Sequence, residues 1–536
     1  ACQKIGKKPV LFFGFDLITS YQRAKACVDY LLNENENNGN TYMGMGELKK
    51  QFDILVPEAK DNLPVILKGE NDVVFNRELL SVCKKNTYAT EKYVAERIKE
   101  GLNTNTKWNC DYSKFQKLQD FKLTDEQCKI SQYMCENNIV LLVGYAGSGK
   151  SSSTQAFTNM LEHYKKSFLL LSPTGKAAKV LSGFTGKDAM TIHRGLGHIP
   201  PDYWGYNESC KLPYDVVIVD EFSMVDIFLF RHLLEAIDFS KTKLLLIGDD
   251  AQIPSVGAGN ILYDLLKSQS IPTITLNKVF RYGTGGLSTA ATDIRTGTEY
   301  LDKSNLGMQV FGDDQSYIFM PMTQDKIVDY TVKLYQTLLT KGYSFEDIAV
   351  LSCYNVGDYG TTTLNKKIQA AVNNKPKAKI AFGDSEFRLG DIVVNCVNDY
   401  KAEIYTKFGE GDRLTFIANG ETGRVVRIMR DAMVIDYDGT LIYTPKASMQ
   451  NIKLAYAISI HKSQGSQQKV VILVTPKAHC YMLNSNLLYV GESRAKERCY
   501  HLGEVRTINM ALKKKENFNR KTLLQIFLDN KGVTNG

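Results

Sequence analysis

The stretch NIVLLVGYAGSGKSSSTQAF, residues 138–157, restricts the possible folds more than any other part of this chain. A short continuous apolar run between Asn138 and Gly144 reads as a buried strand, and the segment from Ser151 onward reads as a helix. Strand, Gly-rich loop and helix in that order open a parallel α/β layer, with the loop at the C-terminal edge of the sheet, where such sheets bind ligands. Gly144, Gly149, Lys150 and Ser151 meet the G-x-x-x-x-G-K-[ST] pattern of a phosphate loop. In that pattern the backbone at Ala146, Gly147, Ser148 and Ser152 curls N–H groups around phosphate oxygens. Lys150 supplies a point charge to the β and γ phosphates and Ser151 a hydroxyl ligand to Mg²⁺. The helix N-terminus behind the loop favours the anion. ATP and Mg²⁺ are therefore the expected cofactors.

The same texture recurs. FLLLS, DVVIVD, KLLLIG and TITL continue the first set of buried strands, and IAVLS, LAYAISI and KVVILV form a second set. Continuous apolar runs separated by helical patterns mark sheets covered on both faces, so two mostly parallel layers are expected. Residues 386–453 differ: FRLGDIVVNCV, GDRLTFIANGETGRVVRIM and TLIYTP alternate, with turn signals at NG and DG. That is the texture of a small antiparallel barrel or meander. Residues 1–120 read mostly as amphipathic helices, such as YQRAKACVDYLL and TEKYVAERIKEGL, and carry no chemical motif. A length of 536 residues requires several cores in any case.

Phosphate loops serve switches, small-molecule kinases and polymer motors alike. The run DVVIVDEFSM ends in adjacent carboxylates, Asp220 and Glu221, at a strand's C-terminal end. Asp220 is placed to hold Mg²⁺ and Glu221 to orient and deprotonate an attacking water, which argues for hydrolysis over a kinase that must exclude water. In GDDAQ, Gln252 is a candidate sensor of the γ phosphate, although a plain loop reads the same way. The net charge of +8 suits a polyanionic partner and ordinary solubility equally. Eleven cysteines without paired spacing suggest reduced intracellular thiols, and no apolar run reaches the roughly 18 residues of a membrane span. A soluble intracellular protein is expected.

Taken in order from Leu123 to Lys496, the motifs resemble the motor core of superfamily 1B DNA helicases, in the RecD-like and phage Dda-like branch. LTDEQ resembles the adenine-reading Q motif, with Gln127 as the base contact. SPTGKAAKVL resembles motif Ia, TIHRGLG the next DNA-facing motif, DEFSM motif II and GDDAQIPSVGAG motif III. LNKVFR resembles motif IV, LAYAISIHKSQGSQ motif V and LLYVGESRAK motif VI. The resemblance implies an α/β fold of two RecA-like P-loop domains with parallel sheets, a small SH3-like β-barrel insertion and a helical N-terminal domain. The expected division is 1–120 for the N-terminal unit, 121–283 for the first RecA-like domain, 284–385 with 454–536 for the second, and 386–453 for the barrel. Arg281 and Arg494 resemble arginine fingers of the second domain, and Gly465 of motif V a nucleotide contact.

The resemblance also implies DNA contacts at Pro173, Thr174, Lys176, His193, His461 and Gln464. The segment GHIPPDYWGYNESCKLP, 197–213, lies where relatives insert a strand-separating pin. Its Tyr203, Trp204 and Tyr206 offer stacking faces, unless the loop packs on its own domain. Asn398, Tyr400 and Lys401 are candidate contacts from the barrel. Ser148 and Ser151 stand where threonines are common, as does Ser459, and Glu492 and Ser493 precede Arg494; no expected catalytic group is missing. The implied protein is a monomeric ATP-dependent helicase moving 5′ to 3′ on single-stranded DNA and opening forks. It has no membrane partner, works with replication or recombination proteins, and resides in the cytoplasm of a bacterial or phage-infected cell, at the nucleoid. The alternatives are an ATP-driven translocase that strips bound proteins, and a non-motor P-loop switch.

Overall fold

The computed structural model describes residues 21–69, 72–104, 106–118, 121–278, 285–406, 414–515 and 519–529. A six-stranded, wholly parallel sheet forms the first lobe. Its strand order is Thr273–Leu276, Ile139–Gly144, Lys243–Gly248, Val216–Val219, Phe168–Ser172 and Ala189–Thr191. Every residue of the three central strands is buried, because helices cover both faces. Successive side chains alternate between the two cores. Leu141, Leu171, Val217 and Leu246 enter one, while Leu142, Leu170, Ile218 and Leu245 enter the other. At about 1.5–3 kcal/mol for each fully buried aliphatic side chain, this alternation is the main stabilising term of the lobe.

The second lobe is another six-stranded sheet, ordered Gln309–Phe311, Tyr317–Pro321, Ala495–Gly503, Gln468–Thr475, Ile348–Ser352 and Ala457–Ser459. All its pairs are parallel except the first. The expected second α/β layer is thus present. The alternating segment between its strands forms an antiparallel sheet of seven strands. They run Leu414–Ile417, Asp399–Ile404, Thr440–Pro445, Ala432–Tyr437, Thr422–Ile428, Ile392–Asn395 and Ile452–Leu454. Val393, Val425, Met433 and Ile435 supply its core.

The N-terminal region contains helices Tyr21–Asn37, Met45–Leu55, Leu63–Lys68 and Lys85–Asn103, with a three-stranded antiparallel sheet. Its last helix is part of the first lobe's core: Val94, Ala95 and Ile98 pack with Ile139 and Phe239. The approach is close enough that a Cβ on Gly101 would lie 2.6 Å from the Ile139 side chain.

The expected grouping of 454–536 with the second sheet differs from the structure at its end. Helix Leu524–Asp529 packs Leu524 and Leu528 into the first lobe's core. The segment before it bonds in the same direction. Arg520 donates to the carbonyls of Ser255 (2.7 Å) and Gly259 (2.8 Å), Thr522 to Asp264 (2.9 Å), and the N–H groups of Leu523 and Leu524 to the buried Glu91 carboxylate. An apolar face this short carries too little local pattern to announce which sheet it will cover. No described helix is long and apolar enough to cross a membrane.

Candidate functional site

The phosphate loop joins strand Ile139–Gly144 to helix Lys150–His163. Gly147 and Gly149 take φ of +82° and +88°, a region costly for side chains, and a Cβ on Gly149 would sit 2.1 Å from the Gln127 amide nitrogen. Gln127 is committed to the loop's support. Its Nε2 donates to the Ser148 carbonyl (3.2 Å), while Oε1 accepts from Thr124 N–H (3.0 Å) in a capping box that opens helix Asp125–Glu136. In this structure the Gln127 amide buttresses the loop. Lys150 Nζ donates to the carbonyls of Gly144 and Tyr145, the latter at 3.1 Å. Ser151 and Ser152 lie in the first turn of the helix.

Asp220 and Glu221 follow strand Val216–Val219, in the same sheet as the loop-bearing strand with Lys243–Gly248 between them. Glu221 has φ +53°, a strained setting for a non-glycine residue, and its N–H donates to Asp220 Oδ1 (2.9 Å). Burial, then the Glu221 carboxylate, push the Asp220 carboxyl above its usual range, with Lys150 pulling it back. Asp250 is raised likewise, by burial and Asp249, against Arg295 and Lys150. These groups share one field around the loop.

The second lobe reaches this field directly. The Tyr489 hydroxyl accepts from Ala146 N–H (2.9 Å) and donates to Asp249 Oδ2 (3.0 Å). Asn486 donates to the carbonyls of Ala251 (3.0 Å) and Gln252 (3.1 Å). Both belong to helix Ser485–Glu492; Tyr489 lies in LLYVGESRAK, read as motif VI, and Asn486 just before it, and the motif marks neither. Arg494 is buried in the second lobe, donating from Nε to Val490 O (3.1 Å) and from Nη2 to Ser493 Oγ (3.0 Å). Arg281 lies outside the described residues. Another second-lobe arginine does reach the loop: Arg295, in the last turn of helix Gly286–Thr296, lies over the Tyr145 ring at 3.4 Å from its centroid. Gly465 sits against Ala177 at the start of helix Gly175–Thr185, where its φ of +71° suits glycine.

Thr174 follows Pro173 and caps that helix, accepting from Ala177 N–H (3.2 Å). Lys176 is less open than a DNA contact requires. Its ammonium is buried, pushed down to about 8 by burial, and senses Glu421 and Arg494. Among the buried polar atoms that lack a hydrogen-bond partner in the described residues are Ser148 Oγ, Lys176 Nζ, Gln252 Oε1 and Gln464 Nε2. These four lie on segments flanking the seam between lobes. Buried polar groups are rarely left so, and this surplus of donors and acceptors fits a polar, charged ligand such as a nucleotide with its metal ion.

His461 opens the short helix His461–Ser463, half-exposed beside Gln464. A cavity of about 390 Å³ next to it is lined by Asn355, Thr361, Lys366, Lys453, Ser459 and Lys462. Sequence reasoning missed most of these residues, although YNVGDYGTTTLNKK carries the signal, a Gly-containing turn entering a helix after a buried strand. On the antiparallel sheet, Tyr400 stacks on Phe416 (4.9 Å, 28°) and remains 52% exposed. Asn398 accepts from Asn419 N–H (2.9 Å), and Lys401 is exposed.

The expected pin is a hairpin of two-residue strands, His198–Ile199 and Tyr203–Trp204. Trp204 turns inward, stacked on His232 (4.2 Å, 20°) and close to His198 (4.3 Å) and His193 (5.6 Å). Tyr206 also packs on the first core. Burial and His198 hold the His193 imidazole below its usual range. Strands this short cannot keep a large ring off its own domain, and burying it is favourable. Two of the three expected stacking faces, and His193 with them, are therefore engaged internally. Tyr203, 62% exposed, and Ile199, 60% exposed, form the tip. Trp204→Ala is expected to cost about 3 kcal/mol of stability, read as a lower melting temperature. Tyr203→Ala should leave the melting temperature unchanged and lower strand separation more than ATP turnover in a forked-duplex assay.

Two families match parts of the chain: one described as an AAA domain over residues 122–308, the other as a UvrD-like helicase C-terminal domain over residues 454–501. The chain is 30% identical over 404 residues to the ATP-dependent RecD2 DNA helicase of Deinococcus radiodurans, an overlap covering 75% of this chain and 52% of that protein. It thus spans about half the length of that relative. It is 24% identical over 426 residues to the RecBCD enzyme subunit RecD of Mycolicibacterium smegmatis, covering 73% of each. Among solved structures, Pif1 helicase from Bacteroides in complex with ADP-AlF3 and ssDNA is 19% identical with a TM-score of 0.45, over 71% of this chain and 92% of that one.

Proposed function

The chain belongs to the RecD-like helicases of superfamily 1B, and on that premise we propose that it is an ATP-dependent DNA helicase moving 5′ to 3′ along a single strand. The observation that carries the reading is the Tyr489 hydroxyl, which joins the phosphate loop of one lobe to the motif VI helix of the other through Ala146 and Asp249. A loop touched by both lobes is what a motor needs, because a change at the nucleotide then alters the fit between the lobes. A switch needs no second α/β lobe.

In this reading Lys150 and the N–H groups of residues 146–152 hold the phosphates, and Ser151 and Asp220 would hold Mg²⁺, which neutralises charge on the phosphoryl oxygens. Glu221 orients water and takes its proton. Gln252, whose backbone carbonyl accepts from Asn486, reports the γ phosphate to the second lobe. Arg494 enters the site only on closure of the lobes, by leaving its bonds to Val490 and Ser493. DNA phosphates would lie along Thr174, His461, Gln464 and the cavity lined by Lys366, Lys453 and Lys462. Such contacts grip a strand without reading its sequence. The working units would be 1–120, 121–283, 284–385 with 454–536, and 386–453, with the last described helix serving the first lobe.

Duplexes bearing a 5′ or a 3′ single-stranded tail test the proposal. Unwinding of the 5′-tailed duplex with ATP is expected; unwinding of the 3′-tailed duplex alone reverses the polarity. The inward turn of Trp204 favours a second reading, a translocase that displaces bound proteins. That reading requires streptavidin to be removed from a biotinylated strand while both duplexes stay intact.

A further inference from the structure

The second lobe touches two consecutive residues of the phosphate loop from two helices. Helix Ser485–Glu492 sends Tyr489 to Ala146 N–H, and helix Gly286–Thr296 sends Arg295 to the face of Tyr145. The two helices pack together, with Leu287, Ala290 and Ile294 in one core with Leu487, Leu488 and Val490. They therefore approach the loop as one body. Tyr145 is more than a platform: its carbonyl accepts from Lys150 Nζ (3.1 Å), so its position helps set where the lysine sits.

The contact has the geometry of a planar cation on an aromatic face, which a guanidinium makes and an ammonium reproduces only in charge. The same guanidinium lies in the field of Asp250, drawing that carboxyl down together with Lys150. Arg295 thus lies over the loop and within electrostatic reach of Asp250 in the GDDAQ segment.

We propose that Arg295 is a positioning residue: by stacking on Tyr145 it holds the start of the phosphate loop ready for nucleotide and makes nucleotide affinity depend on the second lobe. A loop fixed beforehand does not lose that freedom on binding, so affinity rises without any new contact to the ligand. The inference rests on the proposed ATP site and adds a residue that no motif marks.

The test is titration of the full chain with a fluorescent ADP analogue and Mg²⁺, in Arg295→Ala, Tyr145→Ala, the double variant, Tyr145→Phe and Arg295→Lys. Each alanine variant should bind about fivefold more weakly, the scale of a partly exposed cation–π contact. The double variant should bind no more weakly than the worse single one. Tyr145→Phe should match the parent, and Arg295→Lys should recover only part of the loss. Losses that multiply in the double variant overturn the proposal, as does parental affinity in Arg295→Ala or full recovery in Arg295→Lys. If the parent itself fails to bind the analogue, both this inference and the nucleotide site fall. A parent that binds, with Arg295→Ala equal to it, overturns this inference alone.

Discussion

Replacing Lys150 with alanine should lower kcat/KM for ATP by at least about 100-fold, the usual loss when one preorganised charge is taken from a phosphoryl-transfer site. The lysine is the loop's own cation, and its Nζ already points at the carbonyls of Gly144 and Tyr145, within reach of the space the loop encloses. No described neighbour replaces it: Lys176 is buried beside Arg494 and Glu421, and Arg295 is engaged with Tyr145. The fold should survive, because Lys150 starts a helix whose buried residues run from Ser153 to Leu161. Phosphate release, measured with and without single-stranded DNA, checks this. Turnover within tenfold of the parent would remove Lys150 from the site.

Glu221→Gln should show the opposite division, with nucleotide affinity near that of the parent and turnover lower by about 10²- to 10³-fold, as when a general base is lost. The amide is nearly isosteric and keeps an oxygen to orient water, but it cannot take the proton. Its backbone remains at φ +53°, a conformation held by the sheet end and by the bond to Asp220 rather than by the side chain's charge. Binding of the fluorescent analogue and single-turnover hydrolysis separate the two quantities. Equal losses in both would mean that Glu221 holds the nucleotide and does not act on water.

What was legible in the sequence was local. The strands around the phosphate loop, the carboxylates after Val219 and the alternating segment near 386–453 announce themselves through periodicity and turn residues within a dozen positions. Contacts across the chain were not legible. Gln127 matches a base-reading pattern, yet its neighbour in sequence, Thr124, and its neighbour in space, Ser148, together use its amide. Trp204 looks like a free stacking face until His232, 28 residues later, comes to lie on it. Tyr489, Asn486 and Arg295 act on residues more than a hundred positions away. No window of sequence contains both partners of such a contact, so its geometry appears only when the lobes are assembled.

The return of the chain's end to its starting lobe has a mechanical meaning. The backbone leaves the first sheet at Leu276, enters the second lobe at Gly286, and comes back between Lys514, whose carbonyl accepts from Ser485 N–H, and Arg520. Two covalent links, not one, therefore join the two lobes. At no more than about 3.6 Å of reach per residue, the shorter link, Lys514 to Arg520, spans at most roughly 22 Å, a ceiling on how far the lobes can part at that point. Under the proposed motor, a load that pulls the lobes apart would fall first on the Arg520 anchor, so peeling of helix Leu524–Asp529 is the event that would let them separate further.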